Sequence, residues 1–334
     1  MTAATQHAGE TNARLVEDKG QPASRSPADR KLVVIAGRCG RLANRLVLFA
    51  NFIALAEEQG HRLINFTFHS YAGLFGTTSR DIYCQYPVAE RKSWLDAVPA
   101  LAGALRKTRL CYRAVRAASK LNERLPIFGR AIVTLRESPG QAITVLDGPE
   151  VQAKIREARI VFVNGWNFRA PDCVRRHAVK IRSYFRPIAA YEQSSRQAVD
   201  RLRQDANVVV GVHVRQGDYR RWRGGKYFFP ISQYAAWMRE LAEQFPARKV
   251  SFLVCSDDQL DAREFPELPV GFGAGSPVGD LYALAKCDCV FGPPSTFSQW
   301  ASFYGDTPLL HLYDRGGRIE RGKFCVSYLG EIPK

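Results

Sequence analysis

With 334 residues the chain is long enough for two domains of ordinary size, and 46% hydrophobic with 24% charged residues is the balance of a globular protein. No stretch of about twenty residues is free of charge, which argues against a membrane-spanning helix. The eight cysteines lack any CxxC pair and the six histidines do not gather at ligand spacing, which argues against a zinc module or a disulfide scaffold. A net charge of +16 points to anionic partners: nucleic acid, lipid headgroups or phosphorylated small molecules.

Residues 1–30 are small and polar and contain no apolar h-region. They read as a disordered tail rather than a signal peptide, and the expected compartment is the cytoplasm. "KLVVIAG" (Lys31 to Gly37) is a β-branched strand ending in glycine. A loop, "RCGRLAN", leads into the helix "RLVLFANFIALAEEQG", which stops at Gly60, and "HRLINFTF" is a second strand. Strand, loop, helix and strand make a βαβ unit, in which ligands collect at the carboxyl end of the strands.

From Arg91 to Arg136 there are eleven Lys or Arg residues against Asp96 and Glu123. Leu101, Leu105, Leu110, Val115 and Leu121 fall at roughly helical spacing here, the pattern of a basic amphipathic helix. Such a helix either packs its apolar stripe on the core with the charges solvated, or attaches to an anionic surface. Nucleic acid fits poorly, because Trp94, Tyr112 and Phe128 are the only aromatics available for base stacking. Strands are expected at "AIVTL", "AITVL" and "ARIVFVNGW", then helices "APDCVRRHAVKIRSYF" and "AAYEQSSRQAVDRLRQ" on either side of Pro187.

Alternation resumes at Asn207 with the strand "NVVVGVHV", the helix "PISQYAAWMRELAEQF" and the strand "KVSFLVCS". "DDQLDAREF" begins like a helix, "GDLYALAKC" is helical, "DCVFG" is a strand, "STFSQWASFYG" is a helix and "PLLHLY" is a strand. Two such series predict an α/β fold with two Rossmann-like parallel sheets. The division expected is a first domain over residues 31–186, carrying the basic insert of about 91–136, and a second over 187–334.

Four places can carry chemistry. In "GVHVRQGDY" the period of two sends His213 and Arg215 to one face at the end of a strand, where a guanidinium suits a phosphate. Gly217 allows a sharp exit, and Asp218 can brace Arg215 or accept a proton. In "FGPPSTFSQWASFYG" a rigid turn feeds a helix whose first residues, Ser295 and Thr296, are an anion site, ordinary caps, or both. Asp257 in "CSDDQL" is read as an N-cap rather than a metal ligand, and Asp280 in "GDLYALAKC" as a cap or, if its helix faces the cleft, a ligand contact. Cys287 and Cys289 are read as buried free thiols. No Walker loop, dinucleotide fingerprint or nucleophile elbow is present.

Together "HVRQGDY", "FLVCSDD", "DLYALAKCDCVFGPPSTFSQWASF" and the amino-terminal "GRLANRLVLFANFIALAEEQG" resemble the motifs of the fucosyltransferase superfamily that uses GDP-fucose. The likeness is strongest to the α-1,2-fucosyltransferases of glycosyltransferase family 11. This resemblance implies a GT-B-like fold, inversion at the anomeric carbon, no cofactor and no obligatory metal. It implies that Arg215 holds the β-phosphate of GDP, that His213 and Asp280 contact the guanine, that Ser295 and Thr296 donate to the phosphates, and that Asn44 approaches the sugar or diphosphate. The expected partners are GDP-fucose or a related GDP-sugar, a glycan acceptor, and an anionic membrane touched peripherally, with Arg215 and Asp218 as the catalytic pair. The alternatives are a transferase for another nucleotide-sugar, or a non-catalytic anion-binding protein. Two departures stand out: Ala43-Asn44-Arg45 replaces the usual Gly-Asn-Gln, which bears on the sugar pocket, and Gln216 stands where a second arginine often follows, leaving Arg220, Arg221 or Arg223 to supply it.

Overall fold

The computed structural model describes residues 30–79, 81–88, 110–125, 128–137 and 142–330. Leu101 and Leu105 of the basic region lie outside them. The first half contains strands β1 (Leu32–Ile35), β2 (Arg62–Ile64), β3 (Gln85–Tyr86), β4 (Ile132–Arg136), β5 (Thr144–Val145), β6 (Ile160–Asn164) and β7 (Phe168–Arg169). Its helices are α1 (Leu42–Gln59), α2 (Leu110–Arg124), α3 (Pro149–Ile155), α4 (Pro171–Arg176) and α5 (Ala178–Tyr184). Helix α6 (Ala189–Arg203) leads into β8 (Val208–Val214), α7 (Ile231–Glu243), β9 (Val250–Ser256), β10 (Val270–Phe272), α8 (Pro277–Leu284), β11 (Cys289–Gly292), α9 (Thr296–Gly305) and β12 (Leu309–His311).

Two five-stranded sheets result, as the alternation predicts. The first runs β3-β2-β1-β6-β4, parallel except for β3, and the second runs β10-β9-β8-β11-β12 and is parallel throughout. β8 and β9 are the central runs. All seven residues of β8 are buried, as a strand covered by helices on both faces must be. In each sheet the first strand lies beside the strand where the order reverses, β1 beside β6 and β8 beside β11. Crevices at the carboxyl ends of such neighbours are where open α/β sheets bind ligands.

The larger core is shared by both halves. Phe185, immediately after α5, packs edge-on against Phe49 of α1 (ring centroids 5.4 Å apart) and Trp300 of α9 (5.1 Å). Gly292 ends β11 so close to β8 that a Cβ on it would fall 2.3 Å from the His213 carbonyl oxygen. Gly292→Ala must therefore push the two strands apart. It is expected to cost about 1–3 kcal/mol in urea unfolding, the range of an overpacked core, and an unchanged midpoint would refute this close approach.

Three local expectations give way. "APDCVRRHAVKIRSYF" is two short helices, because His177 leaves helical geometry (φ −104°, ψ 15°) between α4 and α5. "AITVL" contributes only the two residues of β5. "DDQLDAREF" forms a single 3-10 turn, Ala262–Glu264, whose capping box is made by Asp261 and Glu264, so Asp257 caps nothing there.

Candidate active site

At the carboxyl end of β8 the alternation works as predicted. His213 is 3% exposed and stacks on Phe297 of α9, with ring centroids 5.0 Å apart and planes at 23°. Its Nδ1 has no hydrogen-bond partner, and burial, with Arg215 and His311 adding repulsion, holds its pKa well below the ordinary histidine value. His213 is thus a neutral ring, suited to hydrogen bonding rather than to carrying charge.

Arg215 lies just past the strand. Its guanidinium pairs with Asp257 (Nη1–Oδ2 3.0 Å) and with Asp218, lies 4.9 Å over the Tyr219 ring, and leaves Nε without a partner. Asp257 also accepts the backbone N–H of Gln216 (2.8 Å) and of Gly217 (3.3 Å). Gly217 turns the chain out of the strand at φ −45° and ψ −93°. A Cβ there would lie 2.9 Å from the Asp257 carboxylate, so the residue has to be small. Asp257 is therefore the brace that fixes both the chain exit and the arginine, and not the N-cap expected. Asp218 does brace Arg215, which leaves its carboxylate already committed to a cation.

The α9 amino terminus faces this arginine loop. Ser295 caps the helix by accepting from Phe297 N (3.1 Å), and the hydroxyl of Tyr219 donates to the Pro294 carbonyl (2.7 Å), fastening the loop to the turn. Thr296 donates to the Asn44 side-chain oxygen at 2.5 Å, and because Asn44 lies in the first turn of α1 rather than in the loop before it, this bond joins the start of α1 to the second sheet's site. Gly40 holds a left-handed φ of 44°, and a Cβ there would sit 1.9 Å from the Asn44 amide nitrogen. Only glycine satisfies both demands.

Arg45 turns away from that junction. It is 2% exposed and donates to the carbonyls of Cys39 (3.2 Å), Gly40 (3.2 Å) and Thr67 (2.7 Å) and to Ser70 Oγ (3.0 Å). The arginine thus holds the loop before α1 from beneath, through carbonyls of the loop and of the segment after β2.

Asp280 is not a cap either. Ser276 caps α8, accepting from Gly279 N at 3.1 Å, and Asp280 sits within the first turn. Burial raises its carboxyl to about 6 against the lowering effect of the Ala274 and Gly275 backbone N–H groups, and Oδ1 is buried without a partner. The nearby Gly273 makes room for it, since a Cβ there would lie 2.3 Å from Oδ1. Cys287 and Cys289 are free thiols, with burial pushing Cys289 up to about 12. Among the described residues no group of three or more His, Cys, Asp or Glu is placed to hold a metal ion.

Residues 173–308 match the family model Glycosyl transferase family 11. The likeness to glycosyltransferase family 11 is confined to this segment, 136 of the 334 residues. That segment holds His213, Arg215, Asp218, Asp257, Asp280, Ser295, Thr296 and Phe297, while Asn44 of α1 lies outside it. Over 152 residues the chain is 30% identical to galactoside alpha-(1,2)-fucosyltransferase 1 of Saimiri sciureus, covering 39% of this chain and 40% of that protein. It is 28% identical over 169 residues to nodulation protein Z of Azorhizobium caulinodans, covering 40% of this chain and 49% of that protein. The matches thus span less than half the length of these relatives. In structure the chain is similar to a mutant of Arabidopsis thaliana FUT1 in complex with GDP, with a TM-score of 0.52 and 14% identity over 91% of this chain and 73% of that one. This last likeness concerns the fold and supports the GT-B-like arrangement of the two sheets.

Asp257 and Phe297 are the site residues that motif reading missed. Asp257 directly follows a strand that pairs with β8 over its whole length, and adjacent parallel strands place their carboxyl ends together. That pairing was the available signal. Nothing in the sequence marks Phe297 as a partner of His213.

Proposed function

We propose that the chain is an inverting, metal-independent glycosyltransferase that moves fucose from GDP-fucose to a hydroxyl of a glycan acceptor. The observation that carries the reading is Arg215, held by two carboxylates at the end of β8 opposite the capped amino terminus of α9. When the bond from the anomeric carbon to the β-phosphate oxygen breaks, the electron pair stays on that oxygen. A guanidinium held in place stabilises the charge without reorganising, and the helix terminus adds its N–H groups and dipole. Ser295, whose hydroxyl proton is not used in capping, then serves the diphosphate with the α9 backbone N–H groups, while Thr296 spends its proton on Asn44 and so brings the first turn of α1 to the sugar. His213 and Asp280 offer the guanine one unpartnered ring nitrogen and one unpartnered carboxylate oxygen. The acceptor oxygen attacks from the opposite face and passes its proton to a base. Asp218, engaged with Arg215, acts in this scheme by holding the arginine.

The first sheet, up to about Pro187, is assigned to the acceptor and the second to the donor. GDP release is the assay: GDP-fucose should be turned over faster than GDP-mannose or GDP-rhamnose, with activity retained in a chelator. GDP, and not UDP or CDP, should raise the thermal midpoint. Stabilisation by UDP alone would reject the donor assignment.

A further inference from the structure

Helix α2 is built with its polar residues inward. Ser119 is fully buried and accepts from the Asn164 amide (2.9 Å), which also donates to Glu123, while Asn122 donates to Ile132 O and Thr134 Oγ1 (3.3 Å each). The large apolar residues face outward: Leu110 and Phe128 are 58% exposed, and Leu121 and Leu125 are 54% exposed. At about 100° per residue, Leu110, Ala114, Ala117 and Leu121 form one exposed stripe that Leu125 and Phe128 continue past the helix end. Arg113, Arg116, Lys120 and Arg124 form a second exposed stripe beside it, and none of them pairs with a carboxylate among the described residues. The helix is therefore anchored to the edge of the first sheet by polar bonds, and its apolar stripe is not the face that packs. Of the two readings of the basic amphipathic pattern, a core-facing stripe is excluded for α2.

We propose that this face lies on a bilayer surface carrying anionic phospholipid, with Leu110, Leu121, Leu125 and Phe128 entering the headgroup boundary and the basic stripe meeting the headgroups. An in-plane helix needs these two stripes side by side. The alternatives match only one stripe. A second copy would bring like charges together, and a polyanion such as nucleic acid would leave the leucines in water. The amino-terminal thirty residues carry as many acids as bases, so they offer the basic stripe no complement. No helix among the described residues is long and apolar enough to cross a membrane, so contact through this helix is peripheral.

Flotation of the full chain with vesicles tests this. Binding is expected to vesicles of phosphatidylcholine mixed with phosphatidylglycerol and not to phosphatidylcholine alone, and to weaken with salt. The double variant Leu110→Glu, Leu121→Glu should lower partitioning at least about tenfold, since burying one leucine is worth that much. Its thermal midpoint and its stabilisation by GDP should be unchanged, because both positions are exposed. Each of Arg113→Gln, Arg116→Gln, Lys120→Gln and Arg124→Gln should cost about fivefold. Equal binding to both vesicle types, or binding indifferent to either set of variants, would overturn the proposal. A dimer dissociated by Leu121→Glu, with no vesicle binding, would assign the face to a second copy instead. The GDP response is read separately, so failure here leaves the donor site untouched.

Discussion

Arg215→Ala is expected to lower kcat for GDP release from GDP-fucose at least about a hundredfold, because loss of one preorganised donor to a developing anion costs about 2.7–4 kcal/mol. The side chain is 16% exposed and is held at both ends of its fork by Asp257 and Asp218, so its position is set before any ligand arrives. The carboxylates also keep it from collapsing into bulk solvent when the site is open. Arg215→Lys should recover little of the loss, since an ammonium cannot reproduce a planar fork engaged on two sides. The fold should survive, because Asp257 still accepts from Gln216 and Gly217 and so keeps the chain exit. Comparing kcat with the affinity for GDP separates a transition-state role from simple binding: kcat should fall by more than affinity. A variant with near wild-type turnover would remove Arg215 from the mechanism.

The sequence made the order of elements and the carboxyl-end position of the site legible, because β-branched runs such as "VVVGVHV" and helical stretches such as "RLVLFANFIALA" carry their period with them. The end of β8, with His213 and Arg215, does lie against the start of α9, with Ser295 and Thr296. What stayed hidden concerns which of several partners a polar side chain chooses. Asp257 looks like a cap because it follows a strand and precedes a helix-like pattern. The helix does not form, and the carboxylate finds two backbone N–H groups and an arginine from the next strand. Arg45 stands where the motif has glutamine, and the sequence does not show that three carbonyls and a hydroxyl of its own neighbourhood take up its guanidinium. In α2 the sequence left open which way the stripe faces: Leu110 and Leu121 share an exposed face, Val115 falls about 140° away from Leu110, and Ser119, Asn122 and Glu123 turn inward to polar partners at the sheet edge.

The second large effect concerns Asp280, where stability and binding should move in opposite directions. Its carboxyl is raised by burial from an ordinary 3.8 to about 6. The folded protein therefore keeps this proton up to about pH 6, whereas the unfolded chain releases it near its ordinary value. Stability from this group is fully present below about pH 4 and is lost as pH rises through about 6. Above that the ionised, partly unsatisfied carboxylate costs the fold about 2–3 kcal/mol, from 1.36 kcal/mol per unit of pKa. Asp280→Asn, neutral at every pH, should thus raise the thermal midpoint at pH 8 and leave it nearly unchanged at pH 4. The same variant should bind GDP at least about tenfold more weakly at pH 8, the worth of a charge-assisted hydrogen bond to the guanine N–H edge. If the guanine takes the ionised form, wild-type affinity for GDP should itself strengthen as pH rises through about 6, and the variant should lack that slope. Inosine diphosphate, which offers the carboxylate one N–H group where guanine offers an adjacent pair, should lose less affinity on the substitution than GDP does. A variant that gains stability at pH 8 and keeps its GDP affinity would leave Asp280 a merely strained carboxylate, and the guanine assignment would fall with it.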